Sequence, residues 1–226
     1  MIISKTPLRL PIAGGGTDIP IFSKTFGGRI ISAGINKYVY VIIKKNYDRG
    51  IRFSGYYLKE HVKDINKLRN PALKAVLKSI KEFKKLDNIE IVTLSDLPAN
   101  SGLGGSSSFI VGLINGLYKF INKKITKKKL AHLAWTIERK VMNEKGGVQD
   151  QYMASYGSIQ NIKISKSKSK VSIKPFKISK KVLSKLEDKI IMVNVKNYRY
   201  SSDVQTKNEK LLKQKKYKLF FLKKIK

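Results

Sequence analysis

The chain has 226 residues, of which 42% are hydrophobic, and its 48 lysines and arginines against 15 acidic residues give a net charge of +33. It contains no cysteine, which excludes disulfides and thiolate metal sites. No apolar run approaches the roughly 20 residues of a membrane helix, and the N-terminus lacks the residue order of a signal peptide. We therefore expect a cytoplasmic protein with one main core and no membrane partner.

The positive charge has two interpretations. A polyanionic partner such as nucleic acid is the first, because a strongly basic chain attracts phosphates. However, only seven of the 48 basic residues are arginine, and the lysines are dispersed along the chain instead of clustering. Dispersed lysine is typical of compositional drift, so we do not expect a nucleic-acid partner. A basic nucleic-acid-binding module is kept as an alternative.

The first half of the chain predicts strands and one amphipathic helix. Runs rich in Ile, Val and Tyr predict strands at residues 1–13, 27–45 and 51–58. From Pro71 to Leu86 the apolar residues fall on one helical face, and the proline suits the first turn of a helix. Residues 89–98 predict a further strand that ends in a turn.

The second half predicts more helices than strands. Residues 109–121 carry apolar side chains at helical spacing and at most positions between, which predicts a helix buried on most sides. A second helix is expected at 126–144, with Val141 among its inward residues. The other expected elements are a strand at 156–165, a solvated hairpin at 166–176, a strand at 189–195 and a helix at 202–220.

A glycine- and serine-rich loop precedes the buried helix. Its glycines at 102, 104 and 105 allow a tight turn and a close approach of backbone to a ligand. The free N–H groups at the start of the helix favour an anion. The serines at 106, 107 and 108 could cap the helix, bond phosphate oxygens or ligate Mg²⁺. The loop lacks the Gly-Lys-Ser/Thr of a Walker sequence, and a purely structural turn is the alternative.

Three motifs, in the right order, resemble those of the GHMP kinase superfamily. "PANSGLGGSSS" (98–108) is similar to its second motif, and "TPLRLPIAGGGTDIPIF" (6–22) to its first, substrate-side motif in the Gly-Gly-Gly-Thr-Asp variant. "GGVQDQYMASYGS" (146–158) resembles the segment that carries the catalytic aspartate. The variant is most similar to the branch of D-glycero-D-manno-heptose 7-phosphate 1-kinases. Val148 departs from the lysine frequent in that branch, which leaves the sugar open.

The resemblance implies an α+β fold with two domains. Residues 1–178 would form a ribosomal-protein-like N-terminal α/β domain that binds ATP and carries catalysis, and residues 179–226 the start of a ferredoxin-like C-terminal domain. The superfamily's third motif, a glycine-rich loop, does not occur in the sequence. We therefore expect an incomplete C-terminal domain that exposes apolar segments such as "KLFFLKKI". A chain truncated in this way is expected to be a poor or inactive kinase, and an inactive remnant is a further alternative.

The implied activity is transfer of the γ-phosphoryl group of ATP to a hydroxyl of a sugar or sugar phosphate, with Mg²⁺. By the family pattern, Ser106 and Glu138 face the metal. For Glu138 the alternative is a solvated helix charge paired with Arg139 or with neighbouring lysines. The residues expected to bind the nucleotide are Pro98, Ser101, Gly102, Leu103, Gly104, Gly105, Ser106 and Ser107.

Asp150 is the implied base that accepts the sugar proton. It follows the flexible Gly146 and Gly147, and the positive field of the chain favours its ionised form. An Asx turn or a helix cap is the alternative. Arg9 would lie near the transferred phosphate or the aspartate, unless it is a surface charge at a strand edge. The implied substrate residues are Gly16, Thr17, Asp18, Gln149 and Arg199.

Other conspicuous side chains have simpler interpretations. His61 and His132 lack metal-ligand spacing, so both are expected in packing or at the surface. Trp135 and the tyrosines are expected to fill the core, although Tyr38 and Tyr40 could line an adenine or sugar cleft. The resemblance also leaves a homodimer possible.

Overall fold

A computed structural model of the chain describes residues 1–166, 170–193 and Thr206. This part contains seven strands and six α-helices. The strands are β1 (Ile2–Ala13), β2 (Gly28–Lys45), β3 (Ile51–Ser54), β4 (Lys59–Val62), β5 (Ile89–Ser95), β6 (Ile159–Ile164) and β7 (Val171–Pro175). The helices are α1 (Pro20–Phe26), α2 (Pro71–Ser79), α3 (Gly105–Phe120), α4 (Lys127–Thr136), α5 (Gln149–Tyr156) and α6 (Lys180–Glu187). The predicted α+β class is confirmed.

All seven strands belong to one sheet, with β2 at its centre. The C-terminal half of β2 pairs with β5, and the N-terminal half of β2 pairs with β6. The strand β1 pairs antiparallel with β2 along most of the length of β2. Beyond these, β3 pairs in parallel with β5 and antiparallel with β4. The strand β7 pairs antiparallel with β6, so residues 171–175 extend the sheet instead of forming one arm of a separate hairpin within 166–176. Because β1 and β2 run the length of the sheet, they position both the first motif and the loop that leads into α3.

The helix α3 lies directly on the sheet. Two glycines permit the close approach: a Cβ at Gly112 would come within 2.7 Å of Thr6 Oγ1, and one at Gly116 within 2.9 Å of Ile43 Cδ1. The helices α2, α4 and α5 pack around α3, whose residues are buried over most of its length. The prediction of a helix buried on most sides is confirmed. This packing fixes the N-terminus of α3, and with it the glycine- and serine-rich loop, at one end of the sheet.

Two predicted helices end earlier than expected. The helix α2 ends at Ser79 because Ile80 adopts an extended conformation, and a 3₁₀ turn follows at Lys81–Phe83. This break lets both Ile80 and Phe83 reach the core. The helix α4 ends at Thr136 and continues as a π turn at Ile137–Val141. The wider winding shifts the helical face, so the expectation that Val141 points inward is wrong: its side chain is 53% exposed.

The region after β7 differs from the prediction. Residues 189–193, the described part of the strand expected at 189–195, form no strand, because none of the described strands pairs with them. The preceding helix α6 was not expected; it begins where Ser179 Oγ accepts a hydrogen bond from Val182 N–H at 3.3 Å. The helix expected at 202–220, the "KLFFLKKI" segment and Arg199 lie outside the described residues. The boundary at residue 178 stays a prediction.

The tyrosine, tryptophan and histidine side chains singled out above either contact neighbouring residues or lie at the surface. The expectation that the tyrosines fill the core is wrong for Tyr47, Tyr56 and Tyr57, which are exposed. The His132 ring is stacked with the half-buried Trp135, and His61 Nε2 lies 3.1 Å from the Arg49 carbonyl. Within the described ranges, no group of three or more His, Cys, Asp or Glu side chains could hold a metal, and no helix could span a bilayer.

Candidate active site

The glycine- and serine-rich loop forms an open cradle at the N-terminus of α3. Gly102 and Gly104 have φ values of +75° and +80°, which side chains other than glycine rarely adopt. Ser108 N–H donates to the Gly104 carbonyl at 2.9 Å, the first hydrogen bond of the helix. The N–H groups of residues 105–107 therefore have no partner within α3. Such free donors, at the positive end of a 16-residue helix, favour a bound anion.

Two cavities meet at this loop. The polar one has a volume of about 250 Å³ and is lined by charged side chains and by the loop itself. The second, about 560 Å³, is mainly apolar. Both are lined by Asn100, Ser101, Gly105 and Ser106, so the loop separates a charged chamber from an apolar one. The charged residues of the polar cavity are Arg9, Glu138, Arg139, Glu144, Lys145 and Asp150.

An ion pair between β1 and α5 lies in the polar cavity. Arg9 Nε is 2.7 Å from Asp150 Oδ1, with the two side chains 13% and 24% exposed. Arg9 also donates from Nη1 to the Gly102 carbonyl at 2.8 Å, and its backbone N–H donates to the Leu103 carbonyl at 3.1 Å. One arginine thus joins the aspartate to the loop. The structure does not show Arg9 as a surface charge at a strand edge. It also shows neither the Asx turn nor the helix cap considered for Asp150, which lies in the first turn of α5, where no side chain makes a capping hydrogen bond.

Asp18 is held against the segment that leads into α5. Its side chain, 8% exposed, accepts hydrogen bonds on Oδ2 from Val148 N–H at 2.9 Å and Gln149 N–H at 3.0 Å. Burial raises the pKa of the Asp18 carboxyl, and the negative charge of Asp150 raises it further, against the opposing effect of these N–H donors. The first motif and the aspartate-bearing motif, 130 residues apart in sequence, therefore meet at this carboxylate.

The raised pKa of Asp18 makes a prediction about stability. The folded protein binds the Asp18 proton more readily than the unfolded chain, so this carboxyl lowers the free energy of unfolding as the pH rises from the unfolded pKa through the folded pKa. The variant Asp18→Asn removes that loss. In urea unfolding at pH 4 to 8, we expect the stability of the variant relative to the unmodified protein to increase with pH. A relative stability that falls with pH would contradict this assignment.

A buried hydrogen-bond network links α3, the π turn and α5. Ser107 Oγ donates to Glu138 Oε2 at 2.7 Å, and Gln151 Nε2 lies 2.5 Å from the same oxygen and 3.1 Å from Ser107 Oγ. Glu138 is only 4% exposed, so the interpretation as a solvated helix charge is wrong. Gln151, fully buried, was not expected to take part. Its position beside Asp150 in a segment otherwise rich in apolar residues was the available signal.

The geometry of this network is compatible with Mg²⁺. The metal takes oxygen ligands, and in nucleotide sites it is typically held by one or two carboxylates together with phosphates and waters. Within the described part of the chain, the hydrogen bonds to Glu138 fall on Oε2, which leaves Oε1 for a cation. Ser106 lines the same cavity as Glu138, although the hydroxyl bonded to Glu138 is that of Ser107. The assignment of Ser106 and Glu138 to a metal stays a prediction.

The remaining predicted substrate residues have mainly structural contacts. Thr17 Oγ1 donates to the Gly14 carbonyl at 2.7 Å and accepts from Arg29 N–H at 3.2 Å, which closes the turn containing Gly16. The Gln149 side chain donates to Ser32 Oγ at 2.9 Å in the interior. Within this group, Asp18 interacts electrostatically with Asp150, and Gln149 holds the Asp18 carboxylate through its backbone N–H.

Gly147 is the contact point between Asp18 and the segment before α5. A Cβ at this position would overlap the Asp18 carboxylate. We therefore expect Gly147→Ala to reduce the free energy of unfolding by about 1–3 kcal/mol, as overpacking does. Gly15→Ala is the matched control, since its Cβ would lie 3.6 Å from the nearest atom, and we expect a change within about 0.5 kcal/mol. Urea denaturation measures both, and equal stabilities would contradict the contact.

Comparison with known proteins supports the motif assignments. Residues 70–158 match the sequence profile of the GHMP kinases N terminal domain. The chain is 33% identical over 214 residues to the D-glycero-alpha-D-manno-heptose 7-phosphate kinase of Campylobacter jejuni, covering 90% of this chain and 62% of that protein. It is 27% identical over 167 residues to the galactokinase of Pyrococcus furiosus, covering 71% of this chain and 46% of the relative.

The fold of this chain is also similar to that of a solved heptose kinase structure. The crystal structure of a D-glycero-D-manno-heptose 1-phosphate kinase from Bacteroides thetaiotaomicron superposes with a TM-score of 0.77 at 30% identity. The match covers 83% of this chain and 63% of that one. The chain thus spans about three fifths of the length of its heptose kinase relatives. The matched profile and the meeting of all three motifs around one cavity show that the chain contains a GHMP kinase N-terminal domain.

Proposed function

We propose that this chain carries the ATP-binding and catalytic part of a sugar or sugar-phosphate kinase. The observation that carries the proposal is the Arg9–Asp150 ion pair, which lies in a polar cavity directly beside the free N–H groups of α3. Phosphoryl transfer needs an anion cradle, positive charge near the transferred group and a carboxylate that orients or deprotonates the acceptor hydroxyl. All three stand around one volume of about 250 Å³.

The nucleotide would use both cavities at the loop. Its phosphates would lie in the polar cavity against the N–H groups of Gly105, Ser106 and Ser107, where the helix dipole and the absence of glycine side chains favour them. The apolar cavity, which includes Phe53, Leu97 and Phe109 in its lining, would receive the base. The position of Ser101 and Ser106 at the boundary between the cavities supports a ligand that crosses the loop.

The acceptor hydroxyl would approach Asp150 from the polar cavity. Its oxygen forms a bond to the γ-phosphorus, the bond from that phosphorus to the β–γ bridging oxygen breaks, and ADP leaves with the electron pair. The hydroxyl proton passes to Asp150, whose Oδ1 is already held by Arg9, so that Oδ2 is the accepting oxygen. The fixed charge of Arg9 would also stabilise the negative charge of the transferred group.

Two further groups would assist the transfer. Asp18, held through Oδ2, would accept a hydrogen bond from an acceptor hydroxyl on Oδ1. Glu138 and Ser106 would hold Mg²⁺, which supplies positive charge to neutralise the phosphate oxygens. The residues of this chain then orient the reactants: the loop binds the phosphates, the Ser107–Glu138–Gln151 network fixes the carboxylate, and the Arg9–Asp150 pair holds the base.

The relatives support a sugar phosphate as the class of acceptor. Both heptose kinases named above act on heptose phosphates by their names, and the third relative is a galactokinase. We therefore expect a sugar phosphate, with a heptose 7-phosphate first among the candidates and its anomeric hydroxyl as acceptor. A cytoplasmic location, the use of Mg²⁺ and a possible homodimer belong to the same proposal.

A panel of acceptors tests the proposal. The purified chain is incubated with ATP and Mg²⁺ and with heptose 7-phosphate, galactose, mannose or mevalonate, and ADP release and the phosphorylated product are both measured. In keeping with the expectation of a poor kinase, we expect slow ester formation with at least one sugar or sugar phosphate and none with mevalonate. Binding of an ATP analogue without transfer to any sugar would indicate an inactive kinase unit, and salt-sensitive RNA binding without ATP binding would favour the nucleic-acid alternative.

A further inference from the structure

The π turn that follows α4 brings two consecutive side chains to the polar cavity. At Ile137–Val141 the helix widens, with Met142 N–H donating to the Ile137 carbonyl at 2.9 Å. Turns of this kind occur frequently at functional sites. Here Glu138 and Arg139 both line the polar cavity, although neighbouring residues of a regular α-helix point in directions about 100° apart. Glu138 already has a predicted role, whereas Arg139 has none.

The Arg139 guanidinium holds the segment between the π turn and α5. Nη1 donates to the Lys145 carbonyl at 2.7 Å, and Nε donates to the Gly147 carbonyl at 3.2 Å. Gly146 lies between these acceptors with φ +145°, and a Cβ there would be 2.6 Å from Nη2. The backbone of residues 145–147 therefore runs close against the guanidinium. A fixed fork of donors suits this two-point contact, which a lysine cannot reproduce.

This segment directly precedes groups that contact or carry the two aspartates. Immediately after it, the N–H groups of Val148 and Gln149 donate to Asp18 Oδ2, and α5 begins with Asp150 in its first turn. A displacement of residues 145–147 would therefore move the donors of Asp18 and the base together. The loop at residues 101–105 is joined to Asp150 through Arg9, but none of the described hydrogen bonds joins it to residues 145–147, so we expect it to move less than the two aspartates.

We propose that Arg139 is a positioning residue that fixes residues 145–147 and thereby keeps Asp18 and Asp150 in place for the acceptor. This inference rests on the proposed function, since it assigns Arg139 to the acceptor side of that reaction. Loss of Arg139 should affect acceptor binding and transfer, while nucleotide binding at the α3 loop should change little. A general loss of packing would weaken both.

The kinetic test compares three variants with the unmodified chain. Arg139→Met removes the donors but keeps the apolar stem, and Arg139→Lys keeps the charge with one donor group. We expect kcat/KM for the acceptor to fall about 10–100-fold in Arg139→Met, as for other groups that orient a reactive one, and less in Arg139→Lys. The dissociation constant of a non-hydrolysable ATP analogue should change less than kcat/KM for the acceptor does, and by less than about threefold in Arg139→Lys, which keeps the positive charge in the polar cavity. The control is Arg52→Met, which removes a half-buried arginine paired with Asp48.

A readout independent of catalysis separates this inference from the proposed function. Hydrogen exchange at the Val148 and Gln149 amides should accelerate in Arg139→Met and stay unchanged in Arg52→Met. Free guanidinium, added to Arg139→Ala far below denaturing concentration, should slow the exchange again. Unchanged exchange, or equal losses of acceptor and nucleotide binding, would overturn the role of Arg139. If the unmodified chain transfers no phosphate, the proposed function fails. The exchange result still shows whether Arg139 fixes residues 145–147. Should Arg139→Met not fold, Arg139→Lys supplies the same comparison.

Discussion

Asp150→Asn should abolish most phosphoryl transfer while leaving nucleotide binding intact. The substitution keeps the size of the side chain but removes the group that takes the acceptor proton, and general base catalysis contributes about 10²–10⁴-fold to a rate. Asn can still accept a hydrogen bond from Arg9 Nε through its amide oxygen, which preserves the contact seen at 2.7 Å. We therefore expect kcat to fall about 10²–10⁴-fold with the fold unchanged.

The measurement is ADP release at saturating ATP and acceptor, with circular dichroism to check the fold. Asp48→Asn is a suitable control. The Asp48 side chain is 64% exposed, lies 3.0 Å from Arg52 Nη2 and lines neither of the two cavities at the loop. It should keep kcat within about threefold, the ordinary range of a surface change. An Asp150→Asn variant with undiminished transfer would remove Asp150 from the chemistry and leave positioning as its role.

Glu138→Gln should impair the use of Mg²⁺ more than any change elsewhere in the network. It removes the negative charge of a side chain that is 4% exposed and bonded to two neighbours. Because the metal is held by charged oxygens, we expect the Mg²⁺ concentration for half-maximal activity to rise about 100-fold, the upper range reported for groups around metal sites. Ser107→Ala, which leaves the carboxylate but removes one of its donors, should raise it about tenfold.

The graded order of the two variants is the informative result. Activity is measured as a function of free Mg²⁺ at fixed nucleotide, and direct binding of Mn²⁺ with an ATP analogue gives a second readout. Equal Mg²⁺ requirements in Glu138→Gln and the unmodified chain would place the metal elsewhere. A larger effect from Ser107→Ala than from Glu138→Gln would show that the hydroxyl, and not the carboxylate, is the main determinant.

The sequence predicted the elements that carry strong periodicity. Long runs of β-branched residues predicted β1 and β2, and the continuous apolar pattern after residue 108 predicted α3 as a buried helix. It did not predict that α2 ends at Ser79, since that ending depends on two side chains reaching the same core. The helix α5 was also missed, because its eight residues have too little amphipathic pattern.

The candidate site was predictable to the extent that motifs name residues. Arg9, Asp18, Asp150 and the glycine loop were all singled out, and the structure brings them together. Contacts that depend on tertiary geometry were not predictable. The meeting of Gln151 with Glu138 needs α5 and the π turn side by side, and the contact of Arg139 with residues 145–147 needs a helix widened by one residue.

The most direct test of the site is calorimetric titration of the folded chain with a non-hydrolysable ATP analogue and Mg²⁺, repeated with Ser106→Ala and Asp150→Asn. We predict saturable binding by the unmodified chain, weaker binding by Ser106→Ala and nearly unchanged binding by Asp150→Asn. That order would establish the loop at the start of α3 as the phosphate cradle and Asp150 as a group of the acceptor side. Absence of binding by a chain shown to be folded would contradict the assignment of this site to a kinase.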